Sequence, residues 1–263
     1  MSAVLAAGGA PSAYWYLTRS TGAVALVLLT MVVALGIADV RRYSSPMWPR
    51  FVVDALHGNA ALLAVVFVVL HIFTSVLDGF APISLAAAVI PFVSEYRPFW
   101  LGLGAVAFDL LLALVITSLM RGRISPSAWR AVHWLAYACW PIALLHGFGT
   151  GSDARGSWYL LLTIACTAVV AVAVVARTLG GWRANPRGSA LALAGLGAFM
   201  LFLVIWLPNG PLERNWARRS GTPASLLGHS AHAALAAPGR LGSVRLVLGD
   251  AGAPDADHAE GAQ

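Results

Sequence analysis

The chain has 263 residues, of which 59% are hydrophobic and only 11% charged, with a mean hydropathy of +0.76. A soluble domain devotes about a quarter of its residues to charge, so this composition excludes a water-exposed globular fold. The net charge of +6 comes from 17 arginines and no lysine. They are spread over the loops rather than gathered on one patch, which argues against a nucleic-acid partner.

The apolar residues fall into six runs, predicting helices over 17–39, 52–77, 99–120, 130–149, 158–178 and 189–207. Each is near the ~20 residues needed to cross a ~30 Å hydrocarbon core. The first sixteen residues carry no positive charge, so the first helix reads as a retained span and not as a cleaved signal. Arg41, Arg42 and Arg50 follow it. The second helix holds His57 and His71. The loop 79–98 is the longest connection, with Ile83 to Val93 apolar enough to lie along the interface. The third helix carries Asp109 near its middle and ends before Arg121, Arg123 and Arg130. The fourth holds His133, Pro141 and His146. Arg177, Arg183 and Arg187 follow or close the fifth, and Trp15, Trp100, Trp129, Trp158 and Trp206 lie near helix ends as interfacial anchors. Cys139 and Cys166 fall inside apolar helices and read as small core residues.

The expected fold is therefore all-α: a polytopic bundle of six transmembrane helices over residues 1–208. A largely disordered tail is expected over 209–263, with a short strand or helix near Val244 to Leu248. The arginine-rich loops follow the first, third and fifth helices, whereas the opposite loops carry only Arg97 and Arg155. The positive-inside rule then puts those three loops in the cytoplasm and both termini outside a cell membrane. Arg214, Arg218 and Arg219 in the tail oppose that placement and are outweighed.

An imidazole in hydrocarbon is costly without a partner, so the four histidines carry the strongest functional signal. His57 and His71 are 14 positions apart, a rise of ~21 Å on nearly one helix face. His133 and His146 are 13 apart, which leaves their side chains ~140° out of phase on a regular helix. Pro141 lies between them and is the expected correction. The two helices are separated by one span and so run in the same direction. Depth then pairs His57 with His133 near the cytoplasmic side and His71 with His146 near the outer side. Each pair is suited to the two axial positions of a haem iron, a ligation for electron transfer. No CxxCH motif occurs, so the haems are expected to be two non-covalent haem b groups. His229, His232 and His258 lie in the tail, where solvation explains them better than metal binding.

These residues resemble the ferric reductase-like transmembrane domain family, which includes ferric reductases, NADPH oxidases and the haem-binding membrane subunit of the bacterial methionine sulfoxide reductase system. The resemblance rests on Thr18-Arg19-Ser20-Thr21-Gly22 opening the first helix and on the His57/His71 spacing. Thr117-Ser118-Leu119-Met120-Arg121 closing the third helix adds to it, as does Arg130 to Tyr137 running on to Leu145-His146-Gly147. It covers about residues 14–180. It implies bis-histidine haems at the four positions and electron flow from the cytoplasmic to the outer face. It departs from the oxidases in lacking a flavin or nicotinamide domain: no GxGxxG follows a strand.

The expected activity is that of a di-haem b-type cytochrome, the electron-transferring membrane component of a ferric reductase-like oxidoreductase. Its donor is expected to be a cytoplasmic flavoprotein, reduced flavin or quinol. Its acceptor is expected to be ferric iron or a redox partner outside. A quinol-oxidising cytochrome and a haem-free transporter or structural bundle are the alternatives. Haem propionates call for cationic partners. Arg19 is expected to serve the outer propionates or an anionic acceptor, and Arg130 either an inner propionate or topology alone. Asp109 fits a bond to a ligating histidine, a proton relay or an interhelical hydrogen bond equally well.

Overall fold

The computed structural model describes residues 12–40, 49–151 and 156–227 and is all-helical there. α1 spans Ala13–Val40, α2 Arg50–Leu77, α3 Ala86–Val89, α4 Pro98–Leu119 and α5 Pro126–His133. α6 follows over Ala136–Thr150, α7 over Ser157–Gly181, α8 over Pro186–Asn209 and α9 over Trp216–Arg219. Five of these, α1, α2, α4, α7 and α8, are long and apolar enough to cross a membrane. Their outward surfaces are apolar as well: Leu191 is 74% exposed, Val204 69% and Val172 68%. Continuous surface of that kind is unfavourable in water and suited to lipid, so the chain is a membrane protein.

α1 packs along α2 and touches α6 and α7, while α4 lies against α3, α5 and α6, and α7 against α8. The core between them holds Ala64, Leu111, Leu144, Phe148 and Trp140, all buried. The Trp140 Nε1–H donates to Thr30 Oγ1 at 2.9 Å and ties α6 to α1 inside that core. Cys139 and Cys166 are buried free thiols, as their setting in apolar helices predicts.

The expected fourth span is not one helix. Proline at the first helical position and the Ser125 Oγ, which accepts from Ala128 N at 3.2 Å, start α5. α5 then stops at His133, and α6 begins at Ala136. Between them the bonds tighten: Leu135 N reaches Val132 O, Tyr137 N reaches Trp134 O and Ala138 N reaches Leu135 O. Such i→i−3 turns advance about 120° per residue instead of 100°, so three of them recover about 60° of the phase deficit. Pro141 is not the interruption, because α6 continues through it.

Of the tail expected to be largely disordered over 209–263, the first part is described. Residues 210–222 fold into turns around α9, with Pro211, Trp216 and Ser220 buried. Of a second compact unit comprising 1–8 and 224–263, only residues 224–227 are described, and they are helical. Arg41, Arg42, Arg155, His229, His232, His258 and the segment Val244 to Leu248 lie outside the described residues.

Candidate functional site

His57 and His71 project from α2 onto α1. The His57 Nδ1 sits 3.0 Å from Val32 O, and the His71 Nδ1 2.8 Å from Thr18 O. On α6, the His146 Nδ1 lies 2.9 Å from Trp100 O of α4. A carbonyl only accepts, so in all three rings Nδ1 carries the proton and Nε2 keeps its lone pair. His133 is held differently. Its ring stacks on Trp129 with centres 4.7 Å apart, the Arg121 guanidinium lies 4.5 Å from the centre of that indole ring, and its buried Nδ1 has no hydrogen-bond partner among the described residues.

The four rings meet in two pairs. The centres of His57 and His133 are 6.3 Å apart at an interplanar angle of 65°, and those of His71 and His146 are 6.3 Å apart at 85°. The geometry thus brings together the pairs expected from depth, with α2 and the α5–α6 segment running the same way. α2 and α6 carry three of the rings yet are not among the closely packed helix pairs of the described residues. The histidines face one another across the space between those helices.

That spacing can be tested against a metal. A metal–imidazole nitrogen bond is about 2 Å, and the ring centre lies about 1 Å behind the nitrogen, so two imidazoles on opposite sides of one metal have centres about 6 Å apart. Both pairs fit. Among the described residues no cluster of three or more His, Cys, Asp or Glu would enclose a bare ion, whereas a structural zinc site takes four protein ligands. Two nitrogens per site suit a metal whose remaining positions are filled by a macrocycle, and the absence of CxxCH suits one that is not covalently attached. The three Nδ1–carbonyl bonds are the outer-shell contacts that ordinarily fix a ligating histidine's tautomer and direction.

The other predicted residues divide. Arg19 is half-buried on α1 with its guanidinium 3.4 Å over the Trp15 ring, which places it on α1 near Thr18. Arg130 lies exposed in the last turn of α5. Asp109 is partly exposed on α4 and makes no side-chain hydrogen bond among the described residues. Arg97, one of the two arginines of the opposite loops, is a buried residue at the start of α4. Its Nη1 donates to Gly149 O at 2.9 Å and Thr150 O at 3.1 Å, and its Nε to Thr222 Oγ1 at 3.0 Å. Its backbone N–H donates to Gly221 O. Burial lowers the pKa of this guanidinium from its ordinary value. Arg97 thereby caps the C-terminal carbonyls of α6, one turn beyond His146, and pins the 210–222 segment to them. Trp100 stacks on Trp206 with ring centres 5.0 Å apart, and Trp216 packs at an angle against both while its Nε1 donates to the same Gly149 O.

Fold and site together define an all-helical membrane protein with two facing histidine pairs set along its helices. No protein family, curated protein or solved structure matches the chain.

Proposed function

We propose that the chain is a di-haem b-type transmembrane cytochrome, the electron-carrying membrane part of a ferric reductase-like oxidoreductase. The observation that carries this reading is the pair of 6.3 Å histidine separations, each met without a third metal-ligating side chain among the described residues. His57 and His133 hold one haem, and His71 and His146 the other. Bound there, haems would supply one-electron exchange. The chain's own residues orient the imidazoles, set their basicity through the Nδ1 bonds and keep water from the path with apolar helices.

In this reading α5 and α6 together make the sixth crossing, because α6 alone, at 15 residues, is only ~22 Å long. The arginine-bearing connections 121–130 and 177–187 mark the cytoplasmic face of the cell membrane. With haem held there, the His57/His133 end would face the donor (reduced flavin, a flavoprotein or a quinol), and the His71/His146 end the acceptor, ferric iron or a redox partner outside. Arg19 lies on the side of α1 that carries Thr18, at a depth where its charge serves the outer propionates, and Arg130 stands near the inner pair.

A reduced-minus-oxidised absorbance spectrum of the purified full chain tests this. Two b-type haems per chain are expected, and their absence overturns the proposal in favour of a haem-free bundle. Turnover with reduced quinol and not with flavin or flavoprotein would assign the donor as a quinol.

A further inference from the structure

The three anchored histidines share a local arrangement that none of the readings above uses. His71 bonds Thr18 O, and its ring packs on Gly22. His57 bonds Val32 O and packs on Gly36. His146 bonds Trp100 O and packs on Gly104. In every case the glycine stands four residues after the carbonyl. That spacing has a physical cause. A helical Cβ points toward the N-terminus and covers the turn before it, where the carbonyl of residue i−4 sits. Removing the Cβ uncovers that oxygen, which keeps its helical bond and has a second lone pair to accept an imidazole N–H.

The crowding is direct. A Cβ added at Gly104 would stand 2.5 Å from the Nδ1 and Cε1 of His146. At Gly22 it would stand 2.9 Å from His71 Nδ1, and at Gly36 3.1 Å from His57 Cε1. Gly22 and Gly36 are 14 residues apart on α1, the same spacing as the two histidines on α2. The place 14 residues along α4 from Gly104 holds Ser118, and it is His133 whose Nδ1 lacks a partner.

We infer that Gly22, Gly36 and Gly104 are positioning residues: each opens a helix carbonyl so that the facing imidazole donates from Nδ1 and presents Nε2 to the space between the pairs. His133, with no such glycine opposite it, is held by its Trp129 stack alone. The inference deepens the haem reading and rests on it for its spectroscopic arm, but the hydrogen bonds themselves are readable without haem.

Gly104→Ala, Gly22→Ala and Gly36→Ala are compared in the full chain, with Gly195→Ala and Gly197→Ala as controls, since an added Cβ there meets nothing within 4 Å. Alanine favours a helix over glycine, so a loss at the three sites does not come from a weaker helix. Gly104→Ala is expected to abolish the low-spin signal of one haem, halving the signal per chain, with Gly22→Ala smaller and Gly36→Ala smallest. Wild-type spectra in all three overturn the inference while leaving the cytochrome intact. The second measurement is ring N–H hydrogen exchange in histidine-labelled wild-type protein. Slow exchange at Nδ1 of His57, His71 and His146, with fast exchange at His133, is expected whether or not haem is bound. Equal, fast exchange at all four sinks the inference, and it does so independently of the variants' folding. A wild-type protein without haem that nonetheless shows the slow Nδ1 protons would overturn the cytochrome and keep the positioning role.

Discussion

The two histidine pairs have the same ring separation and different support. In the His71–His146 pair both imidazoles are bonded to helix carbonyls, and the α6 end beyond them is capped by Arg97. In the His57–His133 pair only His57 is bonded, and His133 leans on Trp129 at the end of a short helix followed by a break. Equal geometry therefore does not mean equal rigidity. The first pair has both rings bonded to main chain, whereas the second has one ring bonded and the other stacked on an indole.

The most severe way to break the comparison is to remove a ligand. His146→Ala and His57→Ala should each cut haem content from two per chain to one, measured by pyridine haemochrome against protein concentration. Loss of both haems in either variant would show that the pairs are not independent. Next, Trp129→Leu should loosen only the weaker pair. The expected change is on the order of tenfold faster haem loss, the scale at which outer-shell partners act, followed by transfer to an apo-globin acceptor. Equal loss from both haems would erase the asymmetry.

Much of this arrangement is legible in the sequence. Five long apolar runs become five long helices, because hydrophobic length is decided locally. The pairing of the rings follows from topology and depth alone. The break at Trp134 and Leu135 is not legible, because neither residue is a helix breaker and the only conspicuous signal, Pro141, lies inside a helix that absorbs it. The carbonyl anchors are hidden for another reason: every residue has a carbonyl, and only the glycine four positions on marks which are open. Arg97 escapes notice because its partners Gly149, Thr150 and Thr222 are remote in the chain. The 210–222 segment has a loop-like composition of Gly, Pro, Asn and Arg, and it is ordered by that one side chain together with Trp216.

Arg97→Ala sharpens the comparison from the other end. It removes the guanidinium donor from Thr150 O and Thr222 Oγ1 and leaves Gly149 O only its bond from Trp216 Nε1, which should cost on the order of 2–4 kcal/mol, read as a lowered melting temperature in detergent. Arg97→Lys should not restore it, since a point charge cannot reach the two carbonyls and the Thr222 hydroxyl together. The His71–His146 signal is expected to melt first in this variant. The smallest effect belongs to Trp140→Phe, which removes the buried bond to Thr30 at a cost of about 1 kcal/mol and should affect both pairs alike.

One consequence concerns α1 as an object. Thr18 and Val32 lie on the same uninterrupted helix, Ala13–Val40, so the anchors of His71 and His57 are two marks on one rigid rod. The facing histidines, His133 and His146, sit on two helices joined by the tight turn at Trp134 and Leu135. A slide or tilt of α1 therefore gears both ends of the molecule together, whereas motion at Trp134 and Leu135 moves one end and spares the other. If the proposed haems are bound, contact that nudges α1 would shift their two midpoint potentials in lockstep, and contact that presses on α5 would drive them apart.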